Sequence, residues 1–328
     1  MEEEQLTTGW KPNRDEIVAA LSDHLDSFEQ RSPSHRFRMP TGFQFTNGHL
    51  PPGKGRVWIK FNFDVLRMQW QANTQAWAHE RITKDENTHA RFHVPRVYDF
   101  FETSINEFKY GLIVMEFADG VTVHDIETKI IRSSNMSQEE KQKKIGLCKD
   151  RVVEAVCLLY SLTPPEDAAP GPYGGGLATS LVWGREEPES PREYGSVQDL
   201  QNWINSENER VSPTELQGLD PALEDRTNDL QTNPGYPPID LVSEDLRLCH
   251  GDMNLRNFIM EDGEDPTSRL VIIDFEHVNF LPTSFLIYSS WLTRDAHISR
   301  GIRLVANLEV NEDTVQALHN IRIHRPLW

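Results

Sequence analysis

The sequence predicts a mixed α+β fold with two lobes, a small strand-rich one followed by a larger, mainly helical one. Between Val57 and Phe63, apolar side chains recur at every second residue, which is the period of a β-strand. Between Ser137 and Leu162, they recur at helical intervals over the longest such stretch of the chain. With 328 residues, the chain is long enough for one large two-lobed domain or for two ordinary domains.

The first lobe is predicted to cover residues 1–117, as a small antiparallel β lobe with one internal helix. It begins with an amphipathic helix, for which Asn13 and Glu16 form a capping pattern. In the alternating strand that comes later, Lys60 lies on the face opposite to most of the apolar residues. The remaining predicted elements are a helix around residues 71–87 and two strands, one from Val94 through Phe100 and one from Tyr110 to Phe117.

The second lobe is predicted to cover residues 118–328. Ser137 and Glu140 form a capping box at the start of its long helix. Residues 164–192 are rich in proline and glycine, which predicts a long flexible loop on the surface. Helical patterns return in the last fifty residues or so. Between the loop and that end, two short strands are predicted, Leu246–Cys249 and Leu270–Ile273.

The composition narrows the class of partner. The formal net charge of −18 makes nucleic acid and anionic membranes poor partners, because both repel an acidic surface, whereas cationic or neutral small molecules fit better. The three cysteines form no CxxC pair, the first residues are acidic, and no apolar run approaches the roughly 18 residues of a membrane helix. We therefore expect a soluble, cytoplasmic protein without disulfides.

Three polar residues near the two short strands carry the chemistry. Asp252 follows a His-Gly pair, Asn257 comes five residues later, and Asp274 ends the second strand. Phosphotransferases use this spacing: the first carboxylate orients a hydroxyl and accepts its proton, while the Asn and the second Asp hold Mg²⁺ against nucleotide phosphates. Hard oxygen ligands suit that hard cation. Together the three residues predict phosphoryl transfer.

The motif HGDxxxxN followed by IDFE resembles the catalytic loop of the aminoglycoside phosphotransferase and choline kinase family. The likeness extends from about Arg56 onward through the segments VWIKF, VPRVYDFF, IVMEFADG and PGPYGGG, which fall in the family's order. The PGPYGGG segment is similar to the large fungal branch of that family. The resemblance implies a two-lobed protein-kinase-like fold and Mg²⁺-dependent transfer of the γ-phosphoryl group of ATP or GTP to a hydroxyl of a small acceptor, with or without an amine.

The resemblance also implies roles for individual residues. Lys60 would contact the α and β phosphates and pair with Glu80 of the following helix. Residues 115–117 would form the hinge beside the adenine, namely Met115, Glu116 and Phe117.

In the second lobe, the resemblance makes Asp252 the catalytic base and makes Asn257 and Asp274 the Mg²⁺ ligands. His250 is expected to fix the loop backbone by hydrogen bonding. Glu276 is left with two interpretations, facing the metal site or facing solvent.

Two alternatives to a small-molecule kinase stay open. A catalytically inactive binding protein of the same fold is the first, since the glycines before Lys60 (Gly42, Gly48, Gly53 and Gly55) match no firm phosphate-loop pattern. A kinase of protein substrates is the second, and the missing DFG and APE elements disfavour it.

An acidic stretch at residues 196–230 has two interpretations as well. It contains eight acidic residues and two arginines. A solvated helical face is the commoner meaning of such a charge run. Otherwise the stretch would attract an amine-bearing acceptor into the cleft between the lobes.

Overall fold

The structure is a computed structural model that describes residues 13–29, 41–46, 55–184, 188–210, 238–263, 265–293 and 295–324. It confirms the two-lobed α+β arrangement. Its elements, in chain order, are α1 (Arg14–Glu29), β1 (Gly42–Thr46), β2 (Arg56–Asn62), α2 (Val65–Thr83), α3 (Glu86–Arg91), β3 (Phe92–His93), β4 (Val97–Ile105), β5 (Phe108–Glu116), β6 (Val121–Thr122), α4 (Val123–Arg132), α5 (Gln138–Ser161), α6 (Val197–Arg210), β7 (Leu246–His250), β8 (Phe258–Met260), β9 (Leu270–Ile272), β10 (Val278–Pro282), α7 (Thr283–Leu292), α8 (Ala296–Val305) and α9 (Glu312–His324).

The small lobe is built on a four-stranded antiparallel sheet with the order β1-β2-β5-β4. Strand β2 is central, and its alternation follows the predicted pattern. Val57, Ile59 and Phe61 are buried, whereas Lys60 lies on the other face, opposite Ile113 of β5. The sequence pattern therefore places the lysine correctly on this strand.

Each face of the sheet carries a helix. Ile17 and Leu21 of α1 pack with the buried side chains of β2, and Met68 and Ala72 of α2 pack with Ile113 and its neighbours on the opposite face. Both helices agree with the sequence prediction, α1 as the capped amphipathic helix and α2 as the internal helix of this lobe. Helix α1 precedes the sheet and covers its second face because its apolar residues form one stripe.

Helix α2 begins six residues before the predicted start near residue 71. Asp64 caps it, because its carboxylate accepts a hydrogen bond of 3.0 Å from the amide of Arg67. The helix ends at Thr83, and residues 86–91 form the separate short helix α3. The earlier start determines which side chains of α2 face the rest of the protein.

The long helix α5 forms the centre of the large lobe, as predicted. Its capping box is present: Ser137 Oγ accepts from the amide of Glu140 at 3.2 Å, and the Glu140 carboxylate accepts from the amide of Ser137 at 2.8 Å. Val152, Val156 and Leu159 are completely buried in the core of this lobe. A 24-residue helix is thus held by its apolar stripe and a closed N-terminus.

Two small sheets in the large lobe bring the motif residues together. Strand β7 pairs with β10, and a second sheet has the order β3-β9-β8-β6. Asp252 follows β7, Asn257 precedes β8, and Asp274 follows β9. Because β8 and β9 are antiparallel partners, the start of one lies beside the end of the other.

The segment Pro170–Gly176 is packed against the protein, although the sequence predicts a flexible loop. Gly171 exchanges two backbone hydrogen bonds with Phe280 of β10, at 3.0 and 2.8 Å. The amide of Tyr173 donates to Thr74 of α2 at 2.9 Å, and Gly176 lies against the ring of Trp70. The loop thus joins the large lobe to α2.

In the described parts of the chain, no helix combines the length and the apolar character needed to cross a membrane.

Candidate active site

The loop after β7 holds Asp252 and Asn257 in direct contact. Gly251 donates a backbone hydrogen bond of 2.7 Å to the carbonyl of His277, which fixes where the loop leaves the strand. The amide nitrogen of Asn257 donates to both the carboxylate and the backbone carbonyl of Asp252, each at 3.1 Å. Asn257 is buried, so this pairing sets the orientation of its amide and leaves the amide oxygen for other partners.

Asp274 lies beside the same asparagine. The amide of Ile273, its neighbour in the chain, donates to the carbonyl of Asn257 at 2.9 Å. Asp274 itself has φ 61° and ψ 72°, a left-handed conformation that is uncommon for residues other than glycine. Such conformations concentrate at sites where a side chain must point in one particular direction.

Lys60 links Asp274 to the small lobe. Its Nζ lies 2.6 Å from Asp274 Oδ1, across 214 residues of sequence. Burial acts to raise the pKa of Asp274, but the charge of Lys60 and its hydrogen bond outweigh burial, and the pKa is lowered. Asp274 therefore stays ionised at neutral pH, and its Oδ2 is left for another ligand.

A cavity of about 310 Å³ lies between the lobes at this point. It joins the predicted hinge to the polar residues, since both groups contribute to its wall. Its lining includes Lys60, Gln71, Met115, Glu116, Phe117, Asn257 and Asp274. Asp252 is not among the lining residues and reaches the cavity through its contact with Asn257.

The carboxylate of Glu116, in the predicted hinge, is engaged within the protein. It accepts hydrogen bonds from Nε2 of His93 at 2.8 Å and from the amide of Arg96 at 3.1 Å. Burial acts to raise the pKa of Glu116, but the hydrogen bond from His93 is among the interactions that outweigh burial and lower it. The Glu116 carboxylate is therefore held by two partners within the protein.

The predicted pairing of Lys60 with Glu80 is wrong in this structure. The Glu80 side chain is 67% exposed and pairs with Lys84 at 2.7 Å. The buried positions of α2 include Gln71, Gln75 and Ala78, and a residue two positions beyond Ala78 lies on the opposite side of the helix. The position of Glu80 relative to Val94 and Pro95 in the sequence does not determine which face of α2 it occupies.

Gln71 is the residue of α2 that the structure brings to the cavity in place of Glu80. Its side chain is only 4% exposed, and its Nε2 has no hydrogen-bond partner in the described part of the chain. A signal for it exists in the sequence, because Gln71 lies one helical turn beyond Met68 and beside Ala72, on the apolar face.

Glu276 is partly buried and contacts two cations of the small lobe. Its Oε1 lies 2.5 Å from Nη2 of Arg67 in the first turn of α2, and its Oε2 lies 3.6 Å from Nζ of Lys60. Sequence reasoning did not find Arg67, since nothing in the local pattern distinguishes it from a surface arginine. The structure thus adds a second link between the small lobe and the residues after β9.

The expectation for His250 is also wrong. The side chain is completely buried, and neither ring nitrogen has a hydrogen-bond partner among the described residues. Burial lowers the pKa of His250 to about 4, although the nearby carboxylates of Asp252 and Asp274 act to raise it. The loop backbone is fixed instead by the contact between Gly251 and His277, and His250 packs 5.6 Å from the ring of Phe258.

The acidic stretch is described only in part, because residues 211–230 lie outside the described ranges. The described portion runs through α6, where Asp199 pairs with Arg192 at 2.7 Å. The two interpretations of this stretch stay as the sequence left them.

The side chains at this site fit a magnesium ion that takes most of its ligands from phosphates and water and only a few from the protein. Across the described ranges, no group of three or more His, Cys, Asp or Glu side chains is placed to hold a metal ion. Asp274 and Asn257 supply a carboxylate and an amide oxygen, and both side chains line the cavity. Mg²⁺ is commonly bound by one or two carboxylates together with phosphates and water.

No protein-family model matches the sequence, and no curated protein matches it. Among solved structures, the chain is similar to the GDP complex of wild-type aminoglycoside 2'-phosphotransferase-IIIa (13% identity, 92% of this chain and 87% of that chain, TM-score 0.46). It is also similar to the macrolide 2'-phosphotransferase MphH from Brachybacterium faecium (11% identity, 82% and 76%, TM-score 0.41). Because both TM-scores lie below 0.5, the functional proposals below rest on the geometry of the chain itself.

Proposed function

We propose that the chain is a Mg²⁺-dependent phosphotransferase that moves the γ-phosphoryl group of ATP or GTP to a hydroxyl of a small molecule. One observation carries the proposal: Lys60, Asn257 and Asp274 line a single cavity between the lobes, and Asn257 is hydrogen-bonded to Asp252. A cation, an amide oxygen and a carboxylate around one cavity suit a triphosphate with its metal. A second carboxylate beside them suits a hydroxyl nucleophile.

Each residue has a role within this proposal. Lys60 would bind the phosphates that precede the transferred group, and the backbone after β5 would bind the base. Asp252 would orient the acceptor hydroxyl and take its proton. Asn257 and Asp274 would hold Mg²⁺, which supplies neutralisation of the phosphate charge when bound.

Most of the rate enhancement would come from alignment and charge neutralisation, since phosphoryl transfer requires little covalent chemistry from the protein. The proton acceptor contributes a smaller share, typically about 10²–10⁴-fold. The formal net charge of −18 supports an acceptor that is amine-bearing or neutral, because an anionic one would be repelled.

The first test is binding. A thermal-shift titration with Mg-ATP and with Mg-GTP should raise the melting temperature with at least one of them, because a ligand that binds only the folded state stabilises it. Turnover is then sought by mass spectrometry, as an added phosphoryl group on members of a panel of sugars, amino-alcohols and aminoglycosides. No melting shift with either nucleotide would contradict the proposal.

The second test removes the proposed base. Asp252→Asn keeps the size of the side chain and should retain nucleotide binding while turnover falls by about 10²-fold or more. Asp150→Asn, a change at an exposed residue of α5 that contacts His297, is the matched control and should leave turnover unchanged. Wild-type turnover in Asp252→Asn would show that Asp252 is not the base.

A catalytically inactive binding protein is the second candidate. The observation that favours it is the direct pairing of Lys60 with Asp274, together with the exposed position of Glu80, the only acidic residue of α2. This candidate predicts a melting shift with a nucleotide but no phosphorylated product from any acceptor. It also predicts that Asp252→Asn changes no measured activity.

A further inference from the structure

We propose that Arg67 and Glu276 form the pair that positions Lys60, the part for which the sequence suggested Glu80. The inference deepens the proposed function and rests on it, because Lys60 is the proposed phosphate ligand. Both are positioning residues, since they would act through Lys60 and not on the substrate.

The two oxygens of Glu276 engage two different cations of the small lobe. Oε2 lies 3.6 Å from Lys60 Nζ on strand β2, and Oε1 lies 2.5 Å from Arg67 Nη2 on helix α2. One carboxylate of the large lobe therefore ties the central strand and the helix of the small lobe to the turn that carries Asp274. A change in the position of α2 would reach Lys60 through this carboxylate.

The side chains of Lys60, Arg67 and Glu276 are partly buried, which strengthens their electrostatic interaction. The side chains of Lys60, Arg67 and Glu276 are 12%, 20% and 29% exposed, respectively. Ion pairs at exposed sites contribute little because water and salt screen them, whereas partly buried pairs are screened much less. The geometry thus favours a pair with a measurable energy.

Helix α2 offers Lys60 no carboxylate of its own. Glu80 is the only acidic residue of α2 and lies on its exposed side, and Gln71, which lines the cavity, is neutral. Lys60 therefore takes its negative partners from the segment after β9, namely Asp274 and Glu276. In the pair that the sequence suggested, α2 would contribute the carboxylate, Glu80. In the structure, α2 contributes a cation, Arg67, and the turn after β9 contributes the carboxylate, Glu276.

Glu276 differs from Asp274 as a partner of Lys60, because it is not a proposed metal ligand. Asp274 is the proposed metal ligand, so its oxygens are needed for the ion. Glu276 gives Lys60 a carboxylate partner that has no such second task, and Arg67 holds this carboxylate from the opposite side. The lysine would then keep its place beside the cavity whether or not a nucleotide is bound.

Glu276→Gln and Arg67→Met test the pair by steady-state kinetics. Each should raise the KM for the nucleotide about tenfold, equivalent to about 1.4 kcal/mol, with a smaller change in kcat. The double variant should be little worse than Arg67→Met, because both changes break the same link, while Arg67→Met also removes the contact of Arg67 Nε with Glu189 Oε1 at 3.4 Å. Arg67→Lys, which keeps the charge, should recover part of the loss.

Arg14→Met is the matched control, since it breaks an ion pair with Asp99 in the small lobe away from the cavity, and its KM should equal that of wild type. Melting temperatures are measured in parallel. A fall in melting temperature with an unchanged KM would mean that the pair is only structural, and fully additive losses would mean that the two residues act separately. Either result would overturn the inference.

A readout independent of turnover separates this inference from the proposed function. The acylation rate of Lys60 by a succinimidyl acetate reagent, followed by peptide mass spectrometry, should rise severalfold in Glu276→Gln because the amine loses one partner. An unchanged rate would overturn the inference even if the wild type proves active. An increased acylation rate in a chain that binds no nucleotide would contradict the proposed function but not the positioning of Lys60 by this pair.

Discussion

His250 is buried completely and has no hydrogen-bond partner among the residues that the structure describes, so its ionisation should make the stability of the protein depend on pH. Burial lowers the pKa of His250 from 6.5 to about 4. In the unfolded chain the imidazole takes up a proton as the pH falls below its ordinary pKa, but in the folded protein it stays neutral until the pH is near 4. The unfolded state therefore binds more protons in this window, and stability is lost as the pH falls through it.

The size of the effect follows from the two pKa values. Between pH 7 and pH 5 the linkage relation gives a loss of about 2 kcal/mol in the free energy of unfolding. Near pH 4 the loss approaches about 3 kcal/mol. Asp252 and Asp274 reduce the effect by favouring the protonated ring, and this reduction is already contained in the lowered pKa.

Urea denaturation at pH 7 and at pH 5 measures the total loss, to which His79, His89 and His277 also contribute because burial lowers their pKa values, so the share of His250 is obtained from a variant. His250→Leu, which fills the same buried space with an apolar side chain, should lose about 2 kcal/mol less than wild type between these pH values. His297→Leu, at a histidine of α8 whose side chain is 42% exposed, should keep most of the wild-type loss. Equal losses in wild type and His250→Leu would refute the reasoning.

Three further changes test the site and the fold. Asp274→Asn should weaken Mg-nucleotide binding as well as turnover, because it removes a charged ligand oxygen and the partner of Lys60; isothermal titration measures the affinity. Glu80→Gln should leave the KM for the nucleotide at the wild-type value, since this carboxylate contacts only Lys84; a large increase would restore the original assignment. Gly176→Ala should cost about 1–3 kcal/mol in urea denaturation, because the backbone has φ 127° and the new Cβ would lie 2.4 Å from the ring of Trp70; unchanged stability would contradict this packing.

The parts of the site that could be predicted from sequence are local in the chain. The spacing of Asp252 and Asn257 sets one short loop, and the apolar strand before Asp274 sets its neighbour. Strand alternation likewise places Lys60 on the correct face of β2. In each case a few consecutive residues determine the geometry.

The parts of the site that could not be predicted depend on which face of helix α2 is buried and on contacts between residues far apart in the chain. Tertiary packing determines which face of α2 is buried, and it leaves Glu80 on the exposed side. The contact between Arg67 and Glu276 joins residues more than two hundred positions apart, and no local pattern marks it. His250 is completely buried and its ring nitrogens make no hydrogen bond within the described part of the chain, which depends on tertiary packing that no local pattern marks.

The segment Pro170–Gly176 bears on how the two lobes could separate. Its backbone is bonded to β10 on one side and to Thr74 of α2 on the other, and its last glycine touches Trp70. A hinge opening that moved α2 away from the large lobe would either break the contacts between the helix and this segment or move the segment together with the helix. Release of a nucleotide bound as proposed is therefore expected to involve small adjustments at the mouth of the cleft, without movement of α2 away from the large lobe.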